Sequence, residues 1–254
     1  QGGGLVQMSG GTVTTHEGSV VSANGGETGG QVQFVGNGIN SVTVNGTVSA
    51  TGGEGGRVTV GADQVTTGAN SVIVGGAARL EADGLGGQGG DISVDSETNT
   101  EMGGEASAQG GDGVGGTIDV TGEDVLILGS ASLDASGSLG GGEVNVGGGF
   151  QGGVSRLRNS NSTVVEAGAQ FAADAVSDGD GGQVVIWSDG ATAFDGSASA
   201  RTLGGNGNGG LIEVSGKSDL EVGIGRSFVA TAANGSSGTV LFDPGDVIVG
   251  AAGS

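Results

Sequence analysis

The side chain best suited to recognise a ligand in this sequence is that of Trp187, the only tryptophan. An exposed indole could stack on a sugar ring, because it presents a large and flat apolar face. Arg156 and Arg158 are two of only seven basic residues, and they could bind a partner from an exposed loop. The candidate interaction surface built on these features consists of Phe150, Arg156, Leu157, Arg158, Val185 and Trp187.

Two stretches invite comparison with calcium sites. Residues 86–94, GGQGGDISV, resemble the repeat G-G-x-G-x-D-x-U-x, but the large residues Ile92 and Val94 lie one position away from the required one. No tandem copy of this repeat follows. The turn that contains Asp178 and Asp180 could hold a cation weakly, and a solvated turn is the simpler interpretation. We therefore predict no metal site.

Catalytic chemistry has little support in the sequence. Cleavage of a polysaccharide needs clustered carboxylates with a base or an arginine on one face. The acids here are scattered singly over turns, His16 is the only histidine, and tyrosine and cysteine are absent. We predict no catalytic residue and no cofactor, and a polysaccharide-active enzyme is the least favoured alternative. The glycosylation sequons at Asn45, Asn161 and Asn234 are near chance in so polar a chain.

The charge of the chain excludes several partners. Its 28 acidic and 7 basic residues give a net charge of −21, which opposes binding to nucleic acid and to anionic lipid. No apolar run approaches the length of about 20 residues that a transmembrane helix needs. The first residues, QGGGLVQMSG, show no signal peptide. We predict no membrane insertion.

An internal repeat defines the elements that carry these side chains. Two glycines, one further residue, a β-branched residue, a spacer and a second apolar residue recur at intervals of 26 to 40 residues. Apolar residues at alternate positions predict a half-buried strand. The β-branched positions are Val6, Val32, Val58, Ile92, Ile118, Val144, Val184, Ile212 and Val240.

Most repeats contain two more short strands, and the third ends at a small residue such as Ala50 or Ala108. Three strands per repeat predict one turn of a β-solenoid, in which each strand pairs with its equivalent one turn later. Glycine is expected at the corners because it adopts positive φ without steric cost. The sequence predicts an all-β fold, a right-handed parallel β-helix of about nine rungs, over a single segment 1–254.

The spacers are polar in seven of the nine repeats, so we expect that side, including Asp119, to face water. The sixth rung is the longest and contains an excursion at 147–163. We expect this excursion to fold over Val185 and Trp187 through Phe150 or Leu157, with its arginines offsetting nearby acids. The alternative leaves the indole exposed for a glycan.

The last hundred residues resemble a known family. The blocks at 181–205, 209–222 and 238–250, preceded by 147–153 and 168–182, are similar to the β-helical shaft of filamentous-haemagglutinin-type exoproteins of bacterial two-partner secretion. The likeness covers about 146–250, and the earlier residues resemble the family only as generic Gly-Gly-Val repeats. It implies export through an outer-membrane partner transporter and a role as adhesin or stalk, without an active site. The family's N-terminal secretion domain is not recognisable.

Neither end of the chain resembles a cap, so we expect a longer structure or end-to-end stacking of molecules, promoted by calcium or salt. The favoured function is a structural or adhesive segment of a secreted fibre at the bacterial surface, facing host or neighbouring cells. The alternative is a carbohydrate- or receptor-binding module that acts through 147–163 and Trp187.

Overall fold

The structure is a computed structural model that describes residues 1–61 and 69–245, with the backbone alone at 36–39. Twenty-three parallel β-strands and one 3₁₀ turn, η1 (Phe150–Gly152), make up its regular structure. Each strand pairs with the equivalent strand one turn later, so the strands form a β-solenoid. The solenoid has three faces, because a turn contains three strand positions. The fold class predicted from the repeat is therefore confirmed. No helix in the described ranges is long and apolar enough to cross a membrane.

The first face contains one strand from each turn. Its strands are β1 (Leu5–Thr14), β3 (Gln31–Val44), β5 (Arg57–Gly61), β8 (Asp91–Asp95), β11 (Thr117–Thr121), β14 (Glu143–Val146), β17 (Gln183–Ser188), β20 (Leu211–Gly216) and β23 (Thr239–Phe242). Strands β1 and β3 are long enough to continue onto the second face, which joins both faces into one 15-stranded sheet.

The second and third faces follow the same order. The second face continues with β6 (Ala69–Val74), β9 (Asn99–Met102), β12 (Asp124–Ile127), β15 (Ser162–Val165), β18 (Ala191–Phe194) and β21 (Asp219–Val222). The third face is a separate sheet of eight strands, β2 (Val20–Ser22), β4 (Thr47–Ser49), β7 (Arg79–Glu81), β10 (Glu105–Ser107), β13 (Ser132–Asp134), β16 (Gln170–Ala172), β19 (Ser197–Ser199) and β22 (Ser227–Val229).

The count of complete turns is about eight, close to the nine expected. All nine first-face strands are present, but β23 is the only strand of the ninth turn in the described part. The second strand expected there, at 246–249, and the end of the resembling block 238–250 lie outside the described residues.

The core is a set of in-register ladders of apolar side chains. Ile92, Ile118 and Val144 stand directly above one another on the first face, and all are at most 1% exposed. Burial of one such side chain contributes about 1.5–3 kcal/mol, and β-branched residues suit the pleated stack. Towards the C-terminal end a row of phenylalanine rings, with centroids 6.0, 5.2 and 5.1 Å apart, runs outward from the core. Phe171 and Phe194 are buried, Phe228 is partly buried, and Phe242 at the end of the row is 44% exposed.

The repeated glycine pair sits at the corner that leads into the first face. A methyl group on Gly141 would lie 2.0 Å from the carbonyl oxygen of Ala173, and one on Gly142 would lie 2.1 Å from that of Gly116. Neither Gly141 nor Gly142 has a positive φ. The expectation that corner glycines serve positive φ is therefore wrong for this pair, because the close approach of successive turns is what excludes a side chain.

Polar side chains also join successive turns after the third face. Asp174 Oδ1 accepts hydrogen bonds from the Ser199 hydroxyl at 2.5 Å and from the Arg201 backbone N–H at 2.7 Å. Asn24 and Asp83 make the equivalent pair of contacts in earlier turns. These contacts link the corner of each turn to the next turn. The contacts of Asp174 matter most for stability, because Asp174 is buried and an unpaired buried carboxylate would be costly.

Candidate functional site

The candidate site is built by the excursion 147–163, which begins directly after β14 and ends within the first two residues of β15. We call this excursion the strap. Its two ends meet, because the Ser160 N–H donates to the Gly147 carbonyl oxygen at 2.7 Å. The Asn161 N–H donates to the Glu123 carbonyl oxygen at 2.6 Å, which fixes the exit of the strap to the preceding turn. The strap is therefore closed on itself and lies against the first face, and η1 lies near its beginning.

The strap folds over Trp187, as the sequence indicated. The indole is only 6% exposed, and Val185 on the same face is fully buried. The close covering contacts come from glycine backbone: a methyl group on Gly148 would lie 2.7 Å from indole Cδ1, and one on Gly152 would lie 2.7 Å from Cε2 and Cζ2. Gly152 also has a φ of +62°, which disfavours any side chain there.

The two residues expected to provide the cover differ from each other. Leu157 is 9% exposed and belongs to the buried part of the strap, whereas Phe150 is 37% exposed and faces solvent. The Trp187 Nε1–H donates to Asp189 Oδ1 at 3.4 Å. The indole is packed rather than displayed, so the glycan-stacking alternative has no open ring face in this structure.

Two buried hydroxyl groups attach the end of the strap to the strand that carries the tryptophan. The Ser160 and Thr163 hydroxyls both donate to the Trp187 carbonyl oxygen, at 3.0 and 2.7 Å, and their oxygens lie 2.7 Å apart. Ser188 and Thr192 repeat this arrangement one turn later, where Thr192 donates to the Ser215 carbonyl oxygen. The strap thus ends in a corner motif that belongs to the solenoid itself.

The outward spacer positions beneath the strap are buried, which corrects the expectation that they face water. Asp119, Asn145 and Glu213 are 6%, 2% and 0% exposed. Polarity at an outward position predicts exposure only where nothing covers the sheet, and here the strap covers it. The spacers form one in-register row, Ser93, Asp119, Asn145, Val185 and Glu213.

Arg156 anchors the strap to this row. Its Nη1 forms an ion pair with Asp119 Oδ2, and its Nη2 lies 3.6 Å from Glu143 Oε2. Asn145 Nδ2 donates to the other oxygen of Asp119 at 2.9 Å. The almost buried carboxylate of Asp119 therefore has partners on both oxygens, as a buried charge requires.

Arg158 extends the contact one turn further towards the N-terminus. Its Nε lies 3.8 Å from Asp95 Oδ1, and its Nη1 donates to the Glu97 carbonyl oxygen at 3.4 Å. Burial raises the pKa of the Asp95 carboxyl, although a hydrogen bond from the Thr121 hydroxyl and the charge of Arg158 act in the opposite direction. Both arginines of the strap thus offset nearby acids, as expected.

Glu213 anchors the strap at its other side. The Gln151 backbone N–H donates to Glu213 Oε2 at 2.9 Å, and the Ser215 hydroxyl donates to Oε1 at 2.9 Å. Burial raises the pKa of the Glu213 carboxyl, and these two hydrogen bonds oppose the shift because they favour the charged form. Counted from Asp95 to Glu213, the strap contacts five consecutive first-face strands, β8, β11, β14, β17 and β20.

Only part of the candidate interaction surface is exposed to solvent, on the outer side of the strap. Phe150 is 37% exposed, and the Arg156 and Arg158 side chains are 42% and 44% exposed. A shallow depression of about 470 Å³ lies at its edge, between Arg158, Asn159 and Asp189. Of the six predicted residues, Leu157 lies in the buried part of the strap, and Val185 and Trp187 lie beneath the strap on β17. Only Phe150, Arg156 and Arg158 are partly exposed to solvent.

The remaining candidates have structural roles. Asp178 Oδ1 and Asp180 Oδ1 accept hydrogen bonds from the backbone N–H groups of Asn206 and Asn208, one turn later. In the stretch 86–94, Asp91 pairs with Arg57 at 2.8 Å. Within 1–61 and 69–245, no three His, Cys, Asp or Glu side chains are grouped to hold a metal ion.

Asp95, Asp119, Asn145 and Glu213 are the site residues that sequence reasoning missed. The repeat register places Asp119, Asn145 and Glu213 in one row, and the strap contains two arginines. The opposite charges of the arginines and of the acids in this row are the feature of the sequence that could have predicted the contact. The sequence does not show which turn the strap reaches, because that depends on its backbone path.

The fold and the strapped face define a β-solenoid protein. No family model and no curated protein sequence matches the chain. Among solved structures, the chain is similar to the crystal structure of the HMW1 secretion domain from Haemophilus influenzae, with a TM-score of 0.73 and 24% sequence identity. The match covers 96% of this chain and 63% of that one, so this chain spans less than two thirds of its length. At this identity the likeness establishes a common fold, and it extends well beyond 146–250.

Proposed function

We propose that this chain is a segment of a secreted bacterial exoprotein of the two-partner type, and that it acts as a rigid spacer at the cell surface. The observation that carries the proposal is the stack of parallel strands from β1 to β23, with a ladder of buried apolar side chains from β3 to β20. Such a stack transmits load along its axis, because every turn is hydrogen-bonded to the next.

Three further observations support this role. The blocks between 147 and 250 resemble the shaft of filamentous-haemagglutinin-type exoproteins. The fold is similar to a structure described as a secretion domain. The net charge of −21 keeps neighbouring molecules apart and favours solubility outside the cell. An outer-membrane transporter is the partner that this proposal requires.

An adhesive role at the strap is the second candidate. Phe150, Arg156 and Arg158 are partly exposed beside the depression at Arg158 and Asn159, which favours a polar or acidic ligand at this edge. Trp187 would contribute to such a site only by supporting the strap from below, because the indole is buried.

The test uses the full-length gene in its own cells. Region 1–254 is replaced by an unrelated β-helix with the same number of turns, and surface display and adhesion are measured on intact cells. A spacer role predicts that both persist after the exchange. Loss of adhesion with intact display would instead assign binding to this segment, and a chain that never reaches the surface in its own cells would contradict export.

The strap itself provides the second arm. Arg158→Ala and Phe150→Ala alter its exposed face, whereas Val164→Ala alters an exposed residue of the second face and serves as the matched control. A spacer predicts no change in adhesion for any of the three variants. Adhesion that is lost only with the strap variants would support the adhesive candidate.

A further inference from the structure

Six asparagines of the chain are followed directly by glycine, a pair that is prone to lose the side-chain amide nitrogen. Glycine has no side chain to hinder the approach of its backbone nitrogen to the amide carbon of the preceding asparagine. The reaction needs a glycine N–H without a hydrogen bond and an asparagine side chain that is free to rotate. The six asparagines are Asn24, Asn37, Asn45, Asn206, Asn208 and Asn234, of which Asn37 lies where the backbone alone is described.

Three of these pairs are held by a hydrogen bond on the glycine nitrogen. The Gly25 and Gly209 N–H groups each donate to a carbonyl oxygen of the following turn at 2.9 Å. The Gly46 N–H donates to the Thr15 hydroxyl oxygen at 3.3 Å. The asparagine side chains that precede these three glycines are hydrogen-bonded as well. Reaction at these pairs therefore requires the fold to open locally first.

The pair at Asn234 is held by the side chain alone. Asn234 Nδ2 donates to the Gly205 carbonyl oxygen of the preceding turn at 2.7 Å. The Gly235 N–H has no hydrogen-bond partner in the part of the chain that the structure describes. This pair is therefore partly restrained.

The pair at Asn206 has both reacting groups free. The Asn206 side chain is exposed, and neither its amide nor the Gly207 N–H has a hydrogen-bond partner among the residues at 1–61 and 69–245. The backbone of Asn206 is fixed, because its N–H donates to Asp178 Oδ1 at 2.7 Å and its carbonyl oxygen accepts from the Gly179 N–H at 2.9 Å. The amide carbon and the nitrogen that must meet thus lie on an ordered turn, with no hydrogen bond to break first.

We propose that Asn206 is a site of spontaneous deamidation in the folded protein, with water as the only co-reactant. The Gly207 nitrogen gives its proton to solvent and attacks Asn206 Cγ, and the side-chain nitrogen leaves as ammonia, so a cyclic imide forms. Water then opens the imide. Cleavage of the new bond to Cγ gives aspartate, and cleavage of the original peptide bond gives isoaspartate. An amide is exchanged for a carboxylate with no change of oxidation state. This reactivity goes beyond the spacer role and does not depend on it.

The isoaspartate product does not fit the stack of turns at this point. Its main chain is longer by a carbon atom, yet the backbone is tightly packed on both sides. A methyl group on Gly207 would lie 2.0 Å from the Gly179 carbonyl oxygen, and one on Gly235 would lie 2.0 Å from that of Gly207. We expect the turn 204–207 to open locally in this product. The aspartate product keeps the original backbone and adds a charge beside Asp178.

The first experiment follows the reaction by mass spectrometry. The folded chain and the chain unfolded in denaturant are incubated in heavy-oxygen water and then digested in ordinary water, and fragmentation separates Asn206 from Asn208. All pairs should react at similar rates in the unfolded chain. In the folded chain Asn206 should keep that rate, Asn24, Asn45 and Asn208 should be slowed at least about tenfold, and Asn234 should lie between. Equal slowing of Asn206 and these three, or no slowing of the three, would overturn the proposal.

The second experiment tests the consequence with Asn206→Gln. Attack on the longer side chain would need a larger and less favourable ring, and the fold should persist in circular dichroism because the Asn206 side chain has no partner to lose among the described residues. After incubation, limited proteolysis should cut the wild type within 204–207 several times faster than before, and the variant should be unchanged. Equal sensitivity of the two incubated proteins would overturn the assignment to Asn206.

Asn206→Asp separates the added charge from the longer main chain. The freshly purified variant should resist proteolysis as well as the unincubated wild type, because its backbone is unaltered. A fresh variant that is already as sensitive as the incubated wild type would overturn the role given to the isoaspartate backbone.

Discussion

Arg156 of the strap is paired with Asp119, a residue 37 positions earlier whose carboxylate is almost buried on the first face. The ion pair attaches the strap to β11 through Asp119, whose side chain points outward from the sheet. Asp119→Asn should therefore destabilise the protein by about 1–2 kcal/mol, because the asparagine cannot balance the guanidinium and part of the network is left unpaired. Chemical denaturation gives the change in free energy of unfolding.

The matched control is Asp91→Asn. Asp91 also pairs with an arginine, Arg57, but both side chains are about half exposed, at 51% and 56%. An exposed pair contributes about 0–1 kcal/mol, so this variant should be nearly neutral. Equal effects of the two substitutions would show that the strap does not bury Asp119 in solution.

The cover over Trp187 can be opened by one methyl group. Gly152→Ala should clash with indole Cε2 and strain a backbone at φ +62°, which displaces the strap. The Trp187 fluorescence should be blue-shifted and poorly quenched by iodide in the native protein, and in the variant it should shift to the red and become quenchable. Gly153→Ala is the control, because its nearest neighbour would lie 3.5 Å away, and it should leave the emission unchanged. A readily quenched native indole would contradict the buried position.

Glu213 should make stability depend on pH in a defined direction. Its folded pKa is raised, so the folded state binds this proton more tightly than the unfolded state does. The stability contributed by Glu213 is therefore highest at low pH and falls as the pH rises from its ordinary pKa, 4.5, through the raised folded value.

Glu213→Gln isolates this contribution from the titration of the other acids. The amide keeps an acceptor for the Gln151 N–H but does not ionise. The difference in unfolding free energy between variant and wild type should move in favour of the variant as the pH rises towards neutrality. Denaturation curves measured across this range that stay parallel for both proteins would refute the predicted shift.

The inside–outside pattern of the strands can be tested with a pair of charges. Val120→Asp places a carboxylate in the fully buried ladder of β11 and should cost at least about 3 kcal/mol or prevent folding. Val164→Asp changes a side chain that is 41% exposed on β15 and should cost less than about 1 kcal/mol. Similar losses of stability in both variants would contradict the inside–outside pattern.

Circular dichroism of the wild type should show β-structure and almost no helix.

The sequence predicted the ladders because their period is simple. Positions such as Ile92 and Val144 alternate with polar spacers, and alternation is the direct signature of a half-buried strand. The strap over Trp187 was predictable for a related reason: an unusually long interval immediately precedes an outward aromatic residue. Both inferences need only local spacing.

The buried acids were not predictable in the same way. Asp119 and Glu213 look like solvent-facing spacers, and their partners Arg156 and Gln151 come from another turn. Their burial depends on the path of the strap, which no repeat specifies. The glycine pair at Gly141 and Gly142 was placed correctly at a corner, but the reason for it, the approach of a neighbouring carbonyl, is visible only in three dimensions.

The reach of the strap has a consequence for the order of assembly. Turns of a solenoid interact only with their neighbours, whereas the strap connects five of them. In a chain that folds from its N-terminus, Asp95 and Asp119 are already in place when Arg156 and Arg158 emerge, so those ion pairs form at once. Trp187 and Glu213 arrive later and meet a preformed surface. The strap would then act as a template that sets the register of the next two turns before their own hydrogen bonds close.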